Sequence, residues 1–161
     1  MLNAPSGAAL KQIDALLALP HGEGFGLPIF EAAYSGLPVV ATGWSGHLDF
    51  LVDEEGKEQF YNVAFDLQPV QDKVVWENVI IKESMWAYPR EQSAKRQMRA
   101  CFEQTTGNMD TNLRPNDYAK SLQDRFSEQA MYDRFVECVY KPNQELNNWM
   151  KTLEEEITEY E

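Results

Sequence analysis

The chain has 161 residues, of which 43% are hydrophobic and 12% aromatic. This composition excludes an intrinsically disordered protein and suits a domain with a real core. The formal net charge of -12 repels nucleic-acid phosphates and anionic lipid surfaces, which argues against either as a partner. No apolar run approaches the ~18 residues that a membrane span needs, so no transmembrane segment is predicted.

The two cysteines, Cys101 and Cys138, stand far apart and follow no metal-ligand spacing. Unpaired thiols are typical of a reducing compartment. The N-terminus lacks the basic and long apolar regions of a signal peptide. These features predict a cytoplasmic protein, and no metal or cofactor motif is present.

The first half of the chain alternates predicted helices and strands, beginning with a short helix over residues 8–13. Apolar runs at 14–20, 38–42 and 59–67 predict three strands. A helix that starts near Pro28 separates the first two strands, and "GWSGHLDFL" predicts a short helix before the third. Continuous apolar strands between helices are typical of a parallel sheet covered on both faces. We therefore predict an α/β, Rossmann-like sheet of three to four parallel strands with flanking helices.

The second half of the chain, from about residue 70, is predicted to be helical. Residues 90–104 form one predicted helix, whose apolar face consists of Ala94, Met98, Ala100 or Cys101, and Phe102. Ser127 is placed to cap another helix at its N-terminus. The last segment is an amphipathic helix with apolar residues at helical spacing. We predict two parts, a domain over 1–141 and this helix over 142–161.

The most informative stretch is "HGEGFGLPIFEAAYSG", residues 21–36, between a predicted strand and a predicted helix. In parallel α/β sheets, ligands bind at this edge, where the strands end. Glycines allow close approach to the backbone, and a helix N-terminus suits a phosphate. The pattern is neither the dinucleotide fingerprint nor a P-loop. It predicts a ligand site of another kind.

Two glutamates, Glu23 and Glu31, accompany these glycines. A phosphate gains nothing from a nearby carboxylate, but sugar hydroxyls are good partners for one, as in dinucleotide folds. A nucleoside diphosphate sugar satisfies both demands. Its diphosphate would lie at the helix N-terminus, its ribose near Glu31 and its transferred sugar near Glu23.

"EGFGLPIFEA" followed by "GLPVVAT" closely resembles the Glu-x7-Glu region of retaining GT-B glycosyltransferases of family 4. "GWSGHLDFL" is similar to the family's glycine-rich turn, and "MWAYPREQSAKRQMRACFEQ" to its tryptophan-proline segment and the helix after it. The resemblance covers most of residues 14–104, with weaker similarity through 140. It implies that the chain is a partial GT-B C-terminal domain, the half that binds the donor.

The resemblance also implies roles for individual residues. Glu23 would lie beside the donor sugar as the catalytic residue, and Glu31 would bind the nucleotide ribose. Backbone N–H groups would face the sugar and the distal phosphate, namely those of Gly24, Phe25, Gly26 and Leu27. The family usually works without a bound metal. Its chemistry depends on positioning and on stabilising the leaving diphosphate.

The chain departs from the family in its extent, because a GT-B enzyme has two Rossmann-like domains with the active site between them. The acceptor domain and the basic pair that neutralises the diphosphate are expected to be missing, with Lys11 the one basic residue before the motif. Two functions stay open: a glycosyltransferase domain, or a truncated or degenerate binding and assembly module. The acceptor is unknown. A homo-oligomer or a separate N-terminal domain is the expected partner.

Five aromatic residues have plainer interpretations. His21 and His47 are predicted to be hydrogen-bonding residues of loops. Trp44, Trp76 and Trp86 are predicted to pack against other side chains.

Overall fold

The computed structural model of the chain describes residues 13–107, 113, 115–140, 148–149 and 151. It divides into two compact units, residues 1–123 and 124–161. The predicted division after residue 141 lies outside the described residues. So does the predicted helix over 8–13 except for residue 13, which is not helical. Both stay predictions.

The described part of the chain has this order of elements: β1 (Leu16–Ala18), α1 (Leu27–Tyr34), β2 (Val39–Thr42), α2 (Leu48–Leu51), β3 (Tyr61–Val63), β4 (Phe65–Pro69), a 3-10 turn (Asp72–Val74), β5 (Met85–Pro89), α3 (Glu91–Thr105), α4 (Pro115–Arg125) and α5 (Glu128–Tyr140). All but α5 and the end of α4 belong to the first unit. None of the described helices is long and apolar enough to cross a membrane.

The central sheet has the order β1-β2-β3, and both pairings are parallel. Leu16 pairs with Val39, and Val40 pairs with Tyr61. Every residue of the middle strand β2 is buried, which explains why its sequence is apolar without alternation. The α/β, Rossmann-like fold with three parallel strands and flanking helices is thereby confirmed.

The third predicted strand, 59–67, is in fact two strands. Only β3 joins the central sheet, while β4 pairs antiparallel with β5. Between them, Ala64 is bound by the helix that follows the hairpin. Its N–H donates to the Ser93 hydroxyl at 3.0 Å, and its carbonyl accepts from the Arg90 N–H at 2.8 Å. These bonds take Ala64 out of the strand pairing and allow the chain to change direction.

Strand β5 also corrects the prediction that the chain is purely helical after residue 70. Residues 85–89 fall within the stretch that the sequence pattern predicts to be helical. In the structure Ala87 of β5 is buried, whereas its neighbours Trp86 and Tyr88 are half-buried and contact His21. The hairpin therefore reaches the loop that carries the candidate site.

Two predicted helices are confirmed with small shifts. Helix α1 has Pro28 in its first turn, and Gly36 lies beyond its end with a φ of 80°. Helix α3 starts one residue later than predicted. Its buried face contains Ser93, Ala94 and Cys101, so Ala94 and Cys101 of the predicted apolar face are confirmed. Met98 and Phe102 are exposed, and for them the prediction is wrong. Burial raises the pKa of the Cys101 thiol.

The core beneath the candidate site is aromatic. Phe50 of α2 is fully buried, and its ring lies 5.0 Å from that of Phe25 and 5.2 Å from that of Phe30. From α4, the Tyr118 hydroxyl donates to the Phe50 carbonyl at 2.8 Å. Burying a side chain of this size contributes about 1.5–3 kcal/mol. The same contacts therefore stabilise the core and support the loop from below.

In the second unit, α5 follows the predicted cap. The Ser127 hydroxyl accepts a hydrogen bond from the Ala130 N–H at 3.3 Å, which confirms Ser127 as the N-cap. Of the predicted helix over 142–161, the structure describes residues 148, 149 and 151, all helical. The rest of that prediction lies outside the described residues.

Candidate ligand-binding loops

The glycine loop joins β1 to α1 at the carboxyl edge of the sheet. Gly26 is the N-cap of α1 with a φ of 83°, a left-handed conformation that favours glycine, and it offers no side-chain cap. Its carbonyl accepts the first helical hydrogen bond, from the Phe30 N–H at 2.9 Å. N–H groups in the first turn of a helix have no partner within the helix. The N-terminus of α1 is thus suited to an anion.

A second loop, residues 43–46, joins β2 to α2 and is bonded to the first. The Glu23 N–H donates to the Ser45 hydroxyl at 2.9 Å, and that hydroxyl donates to the Glu23 carbonyl at 2.6 Å. The Gly46 N–H donates to the same carbonyl at 3.1 Å. Three hydrogen bonds therefore hold the backbone of Glu23 against the neighbouring loop.

Glycines make this close contact possible. A Cβ atom on Gly46 would lie 1.7 Å from the Gly24 carbonyl oxygen, and one on Gly43 would lie 2.0 Å from the Asn62 amide oxygen. Ser45, between these glycines, has a φ of 93°, which is strained for a residue with a side chain. The second loop therefore packs closely between the glycine loop and β3.

His21 attaches the β4–β5 hairpin to the glycine loop. Its Nδ1 donates to the Ala87 carbonyl at 2.8 Å, because a carbonyl can only accept, and the Ala87 N–H donates to the His21 carbonyl at 3.0 Å. The imidazole also stacks with Trp86 and contacts Tyr88, at centroid distances of 5.4 and 4.4 Å. His21 is confirmed as a hydrogen-bonding loop residue, and Trp86 as a packing residue. Trp76, also predicted to pack, is 66% exposed, so that prediction is wrong.

His47 is fully buried below the N-terminus of α1. Its Nε2 donates to the Thr42 carbonyl at 2.7 Å, which confirms the predicted hydrogen-bonding role. A Cβ atom on Gly26 would lie 3.3 Å from the His47 Cβ, so the ring packs beneath the helix cap. Among the described residues, His47 Nδ1 and Thr42 Oγ1 are the two buried side-chain polar atoms without a hydrogen-bond partner.

The residues singled out from the sequence lie on two connected elements. Glu23 is half-buried, Gly24 is exposed and Gly26 is buried, all in the loop before α1. The Phe25 ring is partly exposed and packs on Phe30 and Phe50. Leu27 begins α1, and Glu31 is half-buried in its second turn. The roles of these residues stay predictions.

Sequence reasoning missed three contributors, namely the Ser45 hydroxyl, the attachment through His21, and the exposure of Trp44. A serine between two glycines in "GWSG" was the available signal for Ser45. The His21 contacts depend on the unpredicted hairpin. Within the described ranges, no three His, Cys, Asp or Glu side chains form a group that could hold a metal ion.

Comparisons with known protein families, with curated proteins and with solved structures give no match. The resemblance to family 4 glycosyltransferases therefore rests on the motif in this sequence.

Proposed function

We propose that this chain binds a nucleoside diphosphate sugar and serves as the donor-binding part of a retaining glycosyltransferase. One observation carries the proposal: the loop containing Glu23 is fixed to its neighbour at the carboxyl edge of a parallel sheet, directly before a helix that contains Glu31. Ligands of α/β sheets bind at this edge.

The diphosphate is assigned to the N-terminus of α1. The left-handed Gly26 ends the loop without a side chain at the cap, so a ligand can approach the backbone of the first turn. Unpaired N–H groups and the helix dipole favour negative charge there. In a transfer reaction, the same groups would stabilise charge on the departing diphosphate.

The two carboxylates are assigned to the two sugars. Glu31, one turn into α1, would accept hydrogen bonds from the ribose hydroxyls. Glu23, at the clamped loop, would contact the transferred sugar and orient it for reaction. The three hydrogen bonds on the Glu23 backbone fix the base of its side chain. The acceptor is not identified by these residues.

A non-catalytic binding and assembly module is the second candidate. Leu17 on β1 together with Met98 and Phe102 on α3 form an exposed apolar surface, which we call the β1 edge patch. Apolar patches of this kind mark association surfaces. We also propose a cytoplasmic location, because Cys101 and Cys138 are free thiols.

Calorimetric titration with UDP-glucose, GDP-mannose, UDP and GDP tests the proposal. We expect Glu31→Gln to weaken both a sugar nucleotide and its diphosphate, because both contain the ribose. Glu23→Gln should weaken the sugar nucleotide only. Glu83→Gln, an exposed site on the hairpin connection, is the control. Absence of binding at millimolar concentrations by the wild-type chain would reject the proposed function.

A further inference from the structure

Trp44 is an exposed aromatic side chain in the loop that clamps Glu23. The indole is 39% exposed, although it also contacts the Phe65 ring at a centroid distance of 5.4 Å. The sequence predicts that Trp44 packs against other side chains, and in the structure such contacts cover only part of its ring. The uncovered part of the ring is available for contact with a ligand bound at this edge of the sheet.

The backbone around Trp44 is hydrogen-bonded and closely packed on both sides. On either side of it, the Gly43 N–H donates to the Val63 carbonyl at 3.0 Å and Ser45 bonds to the Glu23 backbone, while Gly46 lies against the Gly24 carbonyl. The backbone N–H of Trp44 donates to the Thr42 carbonyl at 2.8 Å. Trp44 is the one large side chain of the loop, and its backbone is fixed on both sides. A binding residue is preorganised when the surrounding structure fixes its backbone in this way.

We propose that Trp44 presents its exposed face to the transferred sugar of the donor, as a stacking platform. The inference rests on the proposed function and adds a residue that the sugar nucleotide motif does not contain. A pyranose ring has a flat face of C–H groups that packs on the negatively charged face of an aromatic ring. Trp44 thereby favours a donor whose sugar has such a face.

The position of Trp44 selects the sugar rather than the base. The next residue, Ser45, bonds directly to the backbone of Glu23, the carboxylate assigned to the sugar. The ribose carboxylate, Glu31, lies in the second turn of α1. The platform and Glu23 would thus act on the same end of the ligand.

Two substitutions separate ring stacking from simple bulk. Trp44→Phe keeps an aromatic face, and Trp44→Leu keeps an apolar side chain without one. We expect Trp44→Leu to weaken binding of UDP-glucose or GDP-mannose by about five- to tenfold and Trp44→Phe by about twofold or less. The affinity for UDP or GDP should be unchanged in both variants. Trp76→Leu, at an exposed site on the hairpin connection, should bind like the wild type.

The outcomes are distinguishable. If the wild-type chain binds no sugar nucleotide, the proposed function and this inference both fail. If it binds but Trp44→Leu leaves the affinity unchanged, or weakens UDP and UDP-glucose equally, the stacking role alone is rejected. Urea unfolding of each variant gives the folded fraction, so that a loss of fold is separated from a loss of contact.

Discussion

The Ser45 hydroxyl and the Glu23 backbone exchange two hydrogen bonds: the hydroxyl accepts from the Glu23 N–H and donates to the Glu23 carbonyl. One side chain thereby joins the loops that follow β1 and β2. It does so from a residue whose φ of 93° is unfavourable for any side chain. The strained backbone therefore occurs at the residue whose hydroxyl fixes Glu23, the carboxylate assigned to the sugar.

Substitution of Ser45 tests this relationship. Ser45→Ala removes both hydrogen bonds and keeps the strain, so we expect a loss of about 1–3 kcal/mol in the free energy of unfolding. Ser45→Gly removes the same bonds but relieves the positive φ, which should recover about 1 kcal/mol. Urea denaturation measures both values. If alanine were the better tolerated of the two, the strain at Ser45 would be refuted.

The contact between Gly46 and Gly24 predicts very unequal losses of stability when each glycine is replaced by alanine. Gly46→Ala places a methyl group 1.7 Å from a carbonyl oxygen, so we expect about 3 kcal/mol of destabilisation or failure to fold. Gly24→Ala has no atom within 4 Å of the new methyl and should change stability by about 0.5 kcal/mol or less. Thermal unfolding of the two variants checks the asymmetry. Equal losses would show that the loops are not packed as described.

The unpartnered hydroxyl of Thr42 predicts a stabilising substitution. The Thr42 Oγ1 is buried in the middle strand and makes no hydrogen bond. Thr42→Val replaces this oxygen with a methyl group. Removing an unsatisfied buried polar group should raise the free energy of unfolding by about 1 kcal/mol. Thr42→Ser keeps the hydroxyl, loses a buried methyl and should destabilise by a similar amount. Destabilisation by valine would indicate that the hydroxyl has a partner.

The ion pair between Asp66 and Arg90 predicts a pH dependence. The Arg90 guanidinium donates to both carboxylate oxygens and lowers the pKa of Asp66. The pKa of Asp66 in the folded protein lies below its unfolded value of about 3.9. The ion pair therefore contributes to the free energy of unfolding above about pH 3.9, and this contribution disappears as the pH falls through the folded pKa. Wild type and Asp66→Asn should therefore differ in stability at neutral pH and converge in acid.

The Asp66 carboxyl can also be titrated directly by NMR. In Arg90→Gln its pKa should rise toward the ordinary aspartate value, because the hydrogen bond from the guanidinium is its largest cause. An unaltered titration in that variant would contradict the assigned cause. The pair is exposed, so its effect on stability is small and decreases with added salt.

The β1 edge patch predicts self-association. Strand β1 is the end strand of the described sheet, and Leu17 and Phe102 are half or more exposed beside it. We expect a two-fold dimer at micromolar concentration, which Leu17→Asp or Phe102→Ser should shift toward monomer. Light scattering reports the mass, and Trp76→Ser, at another exposed apolar residue, is the control. A wild-type mass that stays at 18.5 kDa would exclude the dimer.

The sequence by itself determined the strands and the helix ends that depend on local backbone and side-chain preferences. The apolar runs located β1, β2 and β3 within a few residues. Pro28 and Gly36 marked the ends of α1, because one fixes φ and the other permits a positive value. The alternation of strand and helix then determined a parallel sheet, since consecutive strands joined by helices run in the same direction.

Only the tertiary structure decided which distant segments meet at the site. No local preference could show that Ser45 bonds to Glu23 or that His21 bonds to Ala87, because these pairs are 22 and 66 residues apart. The division of 59–67 into two strands likewise depends on Ser93, 29 residues from Ala64. Hydrogen bonds between remote residues form only once the chain is packed, so the sequence located the glycine loop while the fold determined what holds it.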